Sequence, residues 1–188
     1  MSRSFLILHG LGGSGPDHWQ TWLNHELIKY GEKVYYPDFP EPDHPMKNDW
    51  LERLSMILSE IPEDDELIVV AHSLGCILWL HYATSSPKRK GKKAILVSPP
   101  SLHTDFEAVN TFFPLPARLS DITNGAEKTV IIQSSNDPYC CIEDTIYYQN
   151  LGIPHITLPK MGHINTESGQ GPWQLILDLS LKESIALI

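Results

Sequence analysis

Short apolar runs recur along the chain, separated by stretches whose apolar residues return every three or four positions. Phe5-Leu6-Ile7-Leu8, Val34-Tyr35-Tyr36, Leu67-Ile68-Val69-Val70, Ala94-Ile95-Leu96-Val97 and Thr129-Val130-Ile131-Ile132 read as strands, with His155-Ile156-Thr157-Leu158 a weaker last one. Between them the helical period predicts four amphipathic helices. The first carries Trp19, Trp22, Leu23, Leu27 and Tyr30 on one face, and the second carries Leu51, Leu54, Leu58 and Ile61 behind an Asn48 cap. The third aligns Leu74, Ile77, Leu78 and Tyr82; the last starts near Pro172, a first-turn proline, and buries Trp173, Ile176, Leu177 and Leu181. Strands that are apolar at every position have both faces covered. The expectation is therefore an α/β fold, a sheet of about six parallel strands between two helical layers, wound by right-handed crossovers. Two segments lack a period. Ser98 to about Lys128 reads as a long loop with exposed aromatics, the kind that serves function in a compact domain. Pro37 to Pro45 holds four prolines and reads as an extended surface loop.

Composition narrows the class. The 188 residues are 41% hydrophobic and 20% charged, which fits one globular domain over 1–188, able to fold without disulfide or structural metal. A net charge of −9 excludes nucleic acid and anionic membrane surfaces as expected partners. The local exception, Lys88-Arg89-Lys90-Gly91-Lys92-Lys93, reads as a solvated turn between helix and strand. The cysteines Cys76, Cys140 and Cys141 are odd in number and form no CxxC, so reduced thiols in a cytoplasmic protein are expected. The apolar run at Phe5–Leu8 is too short for a signal peptide, and no run reaches the ~18–20 residues of a membrane span. Nine histidines include no HExxH, so no metal or cofactor is implied.

The sharpest chemical signal is Ala71-His72-Ser73-Leu74-Gly75, between a predicted strand and a predicted helix. A serine on a tight strand-to-helix turn needs small neighbours and presents its hydroxyl at the carboxyl edge of the sheet. Gly75 meets that need, and Ala71 stands where the usual pattern has glycine. The competing reading makes Ser73 a simple helix cap. His9-Gly10-Leu11-Gly12-Gly13-Ser14 follows the first strand and can turn backbone N–H groups outward. It has neither GxGxxG nor GxxxxGK[ST], which argues against a phosphate loop, and the His9 side chain reads as structural. Asn136-Asp137-Pro138 and Gly162-His163 each follow a predicted strand, where open α/β sheets place their sites.

Ser73, Asp137 and His163 thus appear in the chain order of the serine–acid–histidine triad of this architecture. A serine hydroxyl is a weak nucleophile and needs a base; a histidine supplies it, and a carboxylate fixes the histidine's tautomer. Asp105, after the preceding strand, is the competing acid. The expected oxyanion donors are the Leu11 and Leu74 N–H groups. His72, Pro99, Phe112, Phe113 and Tyr139 are candidate pocket walls. Cys76 reads as a small buried hydrophobe; Cys140 and Cys141, near the Asp137 loop, are oxidation-sensitive if exposed and inert if buried.

The segments HGLGGSGPDHWQTWL, AHSLGC, SNDPYC and GHINTESGQGPW resemble the small serine hydrolases related to retinoblastoma-binding protein 9 and the bacterial YdeN-like proteins. The resemblance runs from Phe5 to about Leu179. It implies a minimal α/β-hydrolase of six parallel strands, lacking the first two strands of larger members and without a cap domain. It also implies the triad and oxyanion roles just named, and activity on small esters. The expected reaction is cleavage of a short acyl ester through an acyl-enzyme, in a shallow uncapped pocket. Two other readings stay open: a protein-interaction module with vestigial catalysis, and acyl transfer to an acceptor other than water by the same residues.

Overall fold

The computed structural model describes residues 2–104 and 106–182. Its regular elements in chain order are β1 (Arg3–Leu8), α1 (Trp19–Lys29), β2 (Lys33–Tyr35), α2 (Lys47–Glu60), β3 (Glu66–His72) and α3 (Leu74–Thr84). There follow β4 (Gly91–Val97), β5 (Ala126–Ser134), α4 (Ile142–Gln149), β6 (His155–Leu158) and α5 (Gln174–Leu181). The strands form one parallel sheet in the order β2-β1-β3-β4-β5-β6.

Alternation along each strand sends side chains to two separate cores. Leu6, Leu8, Val69, Ala71 and Leu96 pack with Trp50 and Leu54 of α2 and Leu78 of α3. Phe5, Ile7, Ile68, Val70 and Ile95 pack on the other face with Trp19 and Leu23 of α1 and Ile176 of α5. Both faces of the inner strands are covered, which is why those strands read as unbroken apolar runs rather than alternating ones.

The winding also places the site. From β1 the chain runs outward to β2 through α1 on one face, then back across to β3 through α2 on the other. The two crossovers part above the carboxyl ends of β1 and β3 and leave a crevice there, as at the switch point of other open α/β sheets.

Four local expectations need correction. Asn48 does not cap α2: the N-cap is Met46, whose side chain makes no capping bond. The Lys47 N–H is met instead by Thr111 Oγ1 at 3.1 Å, from a segment 64 residues away. Pro172 lies outside the last helix, which begins at Gln174. The stretch from Ser98 to Lys128 is not a plain loop but holds two 3-10 turns, Glu107–Phe112 and Leu119–Asn124, that bury Val109, Phe112, Leu119 and Ile122. The basic run is only partly a solvated turn, because β4 starts at Gly91 and Lys93 is buried. Its Nζ donates to the Leu179 and Lys182 carbonyls at 2.6 Å each, satisfying the end of α5.

Candidate active site

Ser73 is the single residue between β3 and α3, with φ 53° and ψ −122°. An L-residue in that region is strained by about 1–3 kcal/mol and persists only where its surroundings over-determine it. Here the Ser73 N–H donates to the Val97 carbonyl of β4 at 3.0 Å, and its own carbonyl accepts from the Cys76 N–H at 2.9 Å. Close packing does the rest. A Cβ on Gly75 would lie 2.5 Å from the Leu8 carbonyl oxygen, and one on Gly10 would lie 2.9 Å from Ser73 Cβ. Ala71 is fully buried at the position where the usual elbow carries glycine.

The turn brings Ser73 Oγ to 2.8 Å from His163 Nε2. On the other side of the ring, Nδ1 lies 2.9 and 3.0 Å from the two carboxylate oxygens of Asp137. The carboxylate accepts, so Nδ1 carries the hydrogen and Nε2 is left to accept the serine proton. Asp137 Oδ1 also accepts from the Tyr139 N–H at 2.9 Å, and the Tyr139 ring stands edge-on to His163 with centroids 4.6 Å apart.

The histidine loop after β6 is held from three sides. Ser134 Oγ, at the end of β5, accepts from the Met161 N–H at 2.8 Å and donates to Asn136 Oδ1 at 2.8 Å. Asn136 Oδ1 also accepts from the Gly162 N–H at 2.9 Å. From α1, the Trp19 indole N–H donates to the Ile164 carbonyl at 2.7 Å. From β3, His72 Nε2 donates to the His163 carbonyl at 2.9 Å. Thus Ser134 and Asn136 couple the loop carrying the carboxylate to the loop carrying the imidazole. Neither bracing role is legible in the sequence, although Asn136 is the neighbour of Asp137 and Ser134 belongs to the same short polar run. Ser134→Ala leaves the half-buried Met161 N–H without its protein partner, which should lower stability by about 1 kcal/mol and slow turnover roughly tenfold by loosening His163. Urea unfolding beside steady-state kinetics checks both effects.

The other histidines here are neutral by burial. Burial pushes His72 far below the usual imidazole range, with His163 and His18 adding to the effect. His9 is lowered by burial against the opposing pull of the Gly10 carbonyl. Its Nδ1 donates to that carbonyl at 2.7 Å and its Nε2 accepts from the Phe39 N–H at 3.3 Å, so its side chain braces the glycine-rich loop.

A cleft of about 760 Å³ opens above these residues. Ser73, His163, Leu11 and Leu74 line it, as do His72, Phe113 and Tyr139. Pro99 and Phe112 do not. Pro99 is buried beside its neighbour Pro100, which lines the cleft instead, and Phe112 turns inward against Trp50, centroids 5.5 Å apart. The cleft offers more room than a short acyl chain fills, with Phe106, Val109 and Phe113 adding apolar surface to its lining. The competing acid Asp105 lies outside the described residues. Cys76 is buried and bonds the Val97 carbonyl through Sγ, Cys140 is buried with its thiol pushed up to about 11 by that burial, and Cys141 is exposed. Among the described residues no group of three or more His, Cys, Asp or Glu could hold a metal, and no helix is long and apolar enough to cross a membrane.

Six parallel strands flanked by helices, with a strained serine at the switch point, define a minimal α/β-hydrolase fold. The chain belongs to the serine hydrolase family, whose profile matches residues 5–181. It is 33% identical to the YdeN protein of Bacillus subtilis over 97 residues, a stretch covering 52% of this chain and only half (50%) of that relative's length. The crystal structure of the B. subtilis ydeN product superposes with a TM-score of 0.81 at 23% identity, over 95% of this chain and 96% of that one. A YdeN-like protein from Pectobacterium atrosepticum gives a TM-score of 0.73 at 22% identity, over 95% and 88% of the two chains.

Proposed function

We propose that this hydrolase cleaves small carboxylic esters through an acyl-enzyme on Ser73. The carrying observation is the chain of contacts from Ser73 Oγ to His163 Nε2 at 2.8 Å and from His163 Nδ1 to Asp137 at 2.9 Å, with the serine held on a strained elbow. As Ser73 Oγ attacks the ester carbonyl, its proton passes to His163 Nε2, and Asp137 stabilises the imidazolium. Leu74 opens α3, so its N–H belongs to the helix's first, unpaired turn. That N–H and the Leu11 N–H of the glycine-rich loop hold the oxyanion. The tetrahedral adduct expels the alkoxide, which takes the proton from His163. Water, deprotonated by the same nitrogen, then releases the acid and restores Ser73. No cofactor takes part in this sequence. An interaction module has no use for a serine kept at a positive φ, so the hydrolase reading is preferred to the adaptor one.

The test is labelling of the folded protein with a fluorophosphonate, the modified peptide being identified by mass spectrometry. Label on Ser73 is the expected result. A well-folded protein that takes no label, or takes it elsewhere, removes the mechanism.

A further inference from the structure

The N-cap of α1 is His18, and the N–H of Gln20 donates to its Nδ1 at 3.1 Å. A ring nitrogen that accepts carries no proton, so the neutral ring has its hydrogen on Nε2. Packing fixes the ring, with centroids 5.1 Å from His72 and 5.4 Å from Trp19, and only 6% of the residue is exposed. Nε2 has no hydrogen-bond partner among the described residues, and His18 lines the same cleft as Ser73 and His163. Protonation would put a hydrogen on Nδ1 and break the cap. Burial, with His163 and His9 adding to it, lowers the pKa to about 4, so the ring stays neutral through the physiological range. A donor fixed in direction and in charge is suited to reading an oxygen atom, not to moving protons.

We propose that His18 is a specificity-determining residue whose Nε2–H donates to an oxygen carried by the acyl group beside the scissile carbonyl, so that alkoxyacyl and related oxygenated esters are preferred to plain alkyl ones. The acyl side is favoured by position. The His18 N–H is bonded to the Gly15 carbonyl at 3.1 Å, which ties the residue to the glycine-rich loop whose Leu11 N–H holds the oxyanion in the proposed mechanism. An alkyl acyl group leaves this N–H desolvated and unpaired, and sites built to hydrogen-bond a substrate discriminate strongly against analogues that cannot. The inference rests on Ser73 being the nucleophile.

The experiment compares 4-nitrophenyl methoxyacetate with 4-nitrophenyl butyrate, which differ by one oxygen in place of a methylene. The readout is the ratio of their kcat/KM values, which cancels effects on folding and on the triad. His18→Asn keeps a capping acceptor and loses the Nε2–H; His18→Phe keeps a ring and loses both nitrogens. The ratio should fall at least tenfold in both variants. In imidazole 15N spectra His18 should show the Nε2–H tautomer, unchanged down to pH 5. An unchanged ratio in His18→Asn, with fluorophosphonate still labelling Ser73, overturns the proposal and leaves His18 a cap and packing residue. A wild-type protein that takes no label overturns the hydrolase reading beneath it instead.

Discussion

Ser73→Ala and His163→Ala should each lower kcat on a small 4-nitrophenyl ester by about 10⁵–10⁶-fold, and the double variant should be no slower than either single one. In the proposed mechanism the two side chains act as one device. Without the imidazole, Ser73 Oγ keeps its proton and attacks no faster than an ordinary alcohol. Without the hydroxyl, the imidazole has no proton to take. The loss in each corresponds to roughly 7–8 kcal/mol of transition-state stabilisation. On that mechanism, what survives is the part due to the Leu11 and Leu74 amides and to binding in the cleft. Asp137→Asn tests the orienting role separately. An amide NH2 in place of the carboxylate donates to Nδ1 and forces the hydrogen onto Nε2, where it meets the Ser73 hydroxyl donor to donor. A fall of about 10⁴ in kcat, with stability little changed, is expected. Losses that simply add in the double variant would show that Ser73 and His163 act independently and that the 2.8 Å contact between them is not the reacting one.

The strand skeleton was legible because burial on both faces writes itself as unbroken apolar runs, and all six strands are found where those runs fall. Ser73, Asp137 and His163 were legible as a candidate triad because each follows the carboxyl end of a strand; chain order by itself admits Asp105 as well, and the nearness of Asp137 to its strand made the choice. What could not be read locally is what depends on partners far away. Thr111 caps α2 across 64 residues, and Lys93 closes the end of α5 from within a strand. No pattern within a few residues reveals either. The helix α4 escaped because it is short and Tyr148 is its only buried side chain, while Ile142, Ile146 and Tyr147 face outward, so no buried stripe marks it. The aromatics Trp19 and Phe112 show the same limit in opposite senses. Trp19 read as core and is core, yet its indole N–H also holds the His163 loop. Phe112 read as a cleft wall because it lies in an aperiodic segment, but it is fully buried against Trp50.

Gly75→Ala should destabilise the fold by about 3 kcal/mol, the upper end of the usual range for an added methyl in a packed interior. In a chain of this length that lowers Tm by roughly 10 °C. The added Cβ would lie 2.5 Å from the Leu8 carbonyl oxygen and 2.7 Å from that of His9. Both are backbone atoms at the end of β1, so no side-chain rotation relieves the clash, and α3 must move away from the sheet. Leu8 is registered against Ala71 of β3, so the end of β1 cannot retreat without breaking the ladder. Because α3 begins at Leu74, its displacement carries the Leu74 N–H and the Ser73 hydroxyl away from His163. A loss of kcat by 10²-fold or more is therefore expected at temperatures where the variant is still fully folded, since near-ångström shifts of reacting groups have effects of that size. Gly15→Ala is the matched control, because nothing lies within 4 Å of its added Cβ. Its stability should stay within about 0.5 kcal/mol of wild type. Calorimetry with kinetics below both transitions separates the two effects. A Gly75→Ala protein that is both stable and active would mean that the elbow tolerates slack between α3 and β1, and that Ser73 is held by its hydrogen bonds to Val97 and Cys76 rather than by the close approach of the helix.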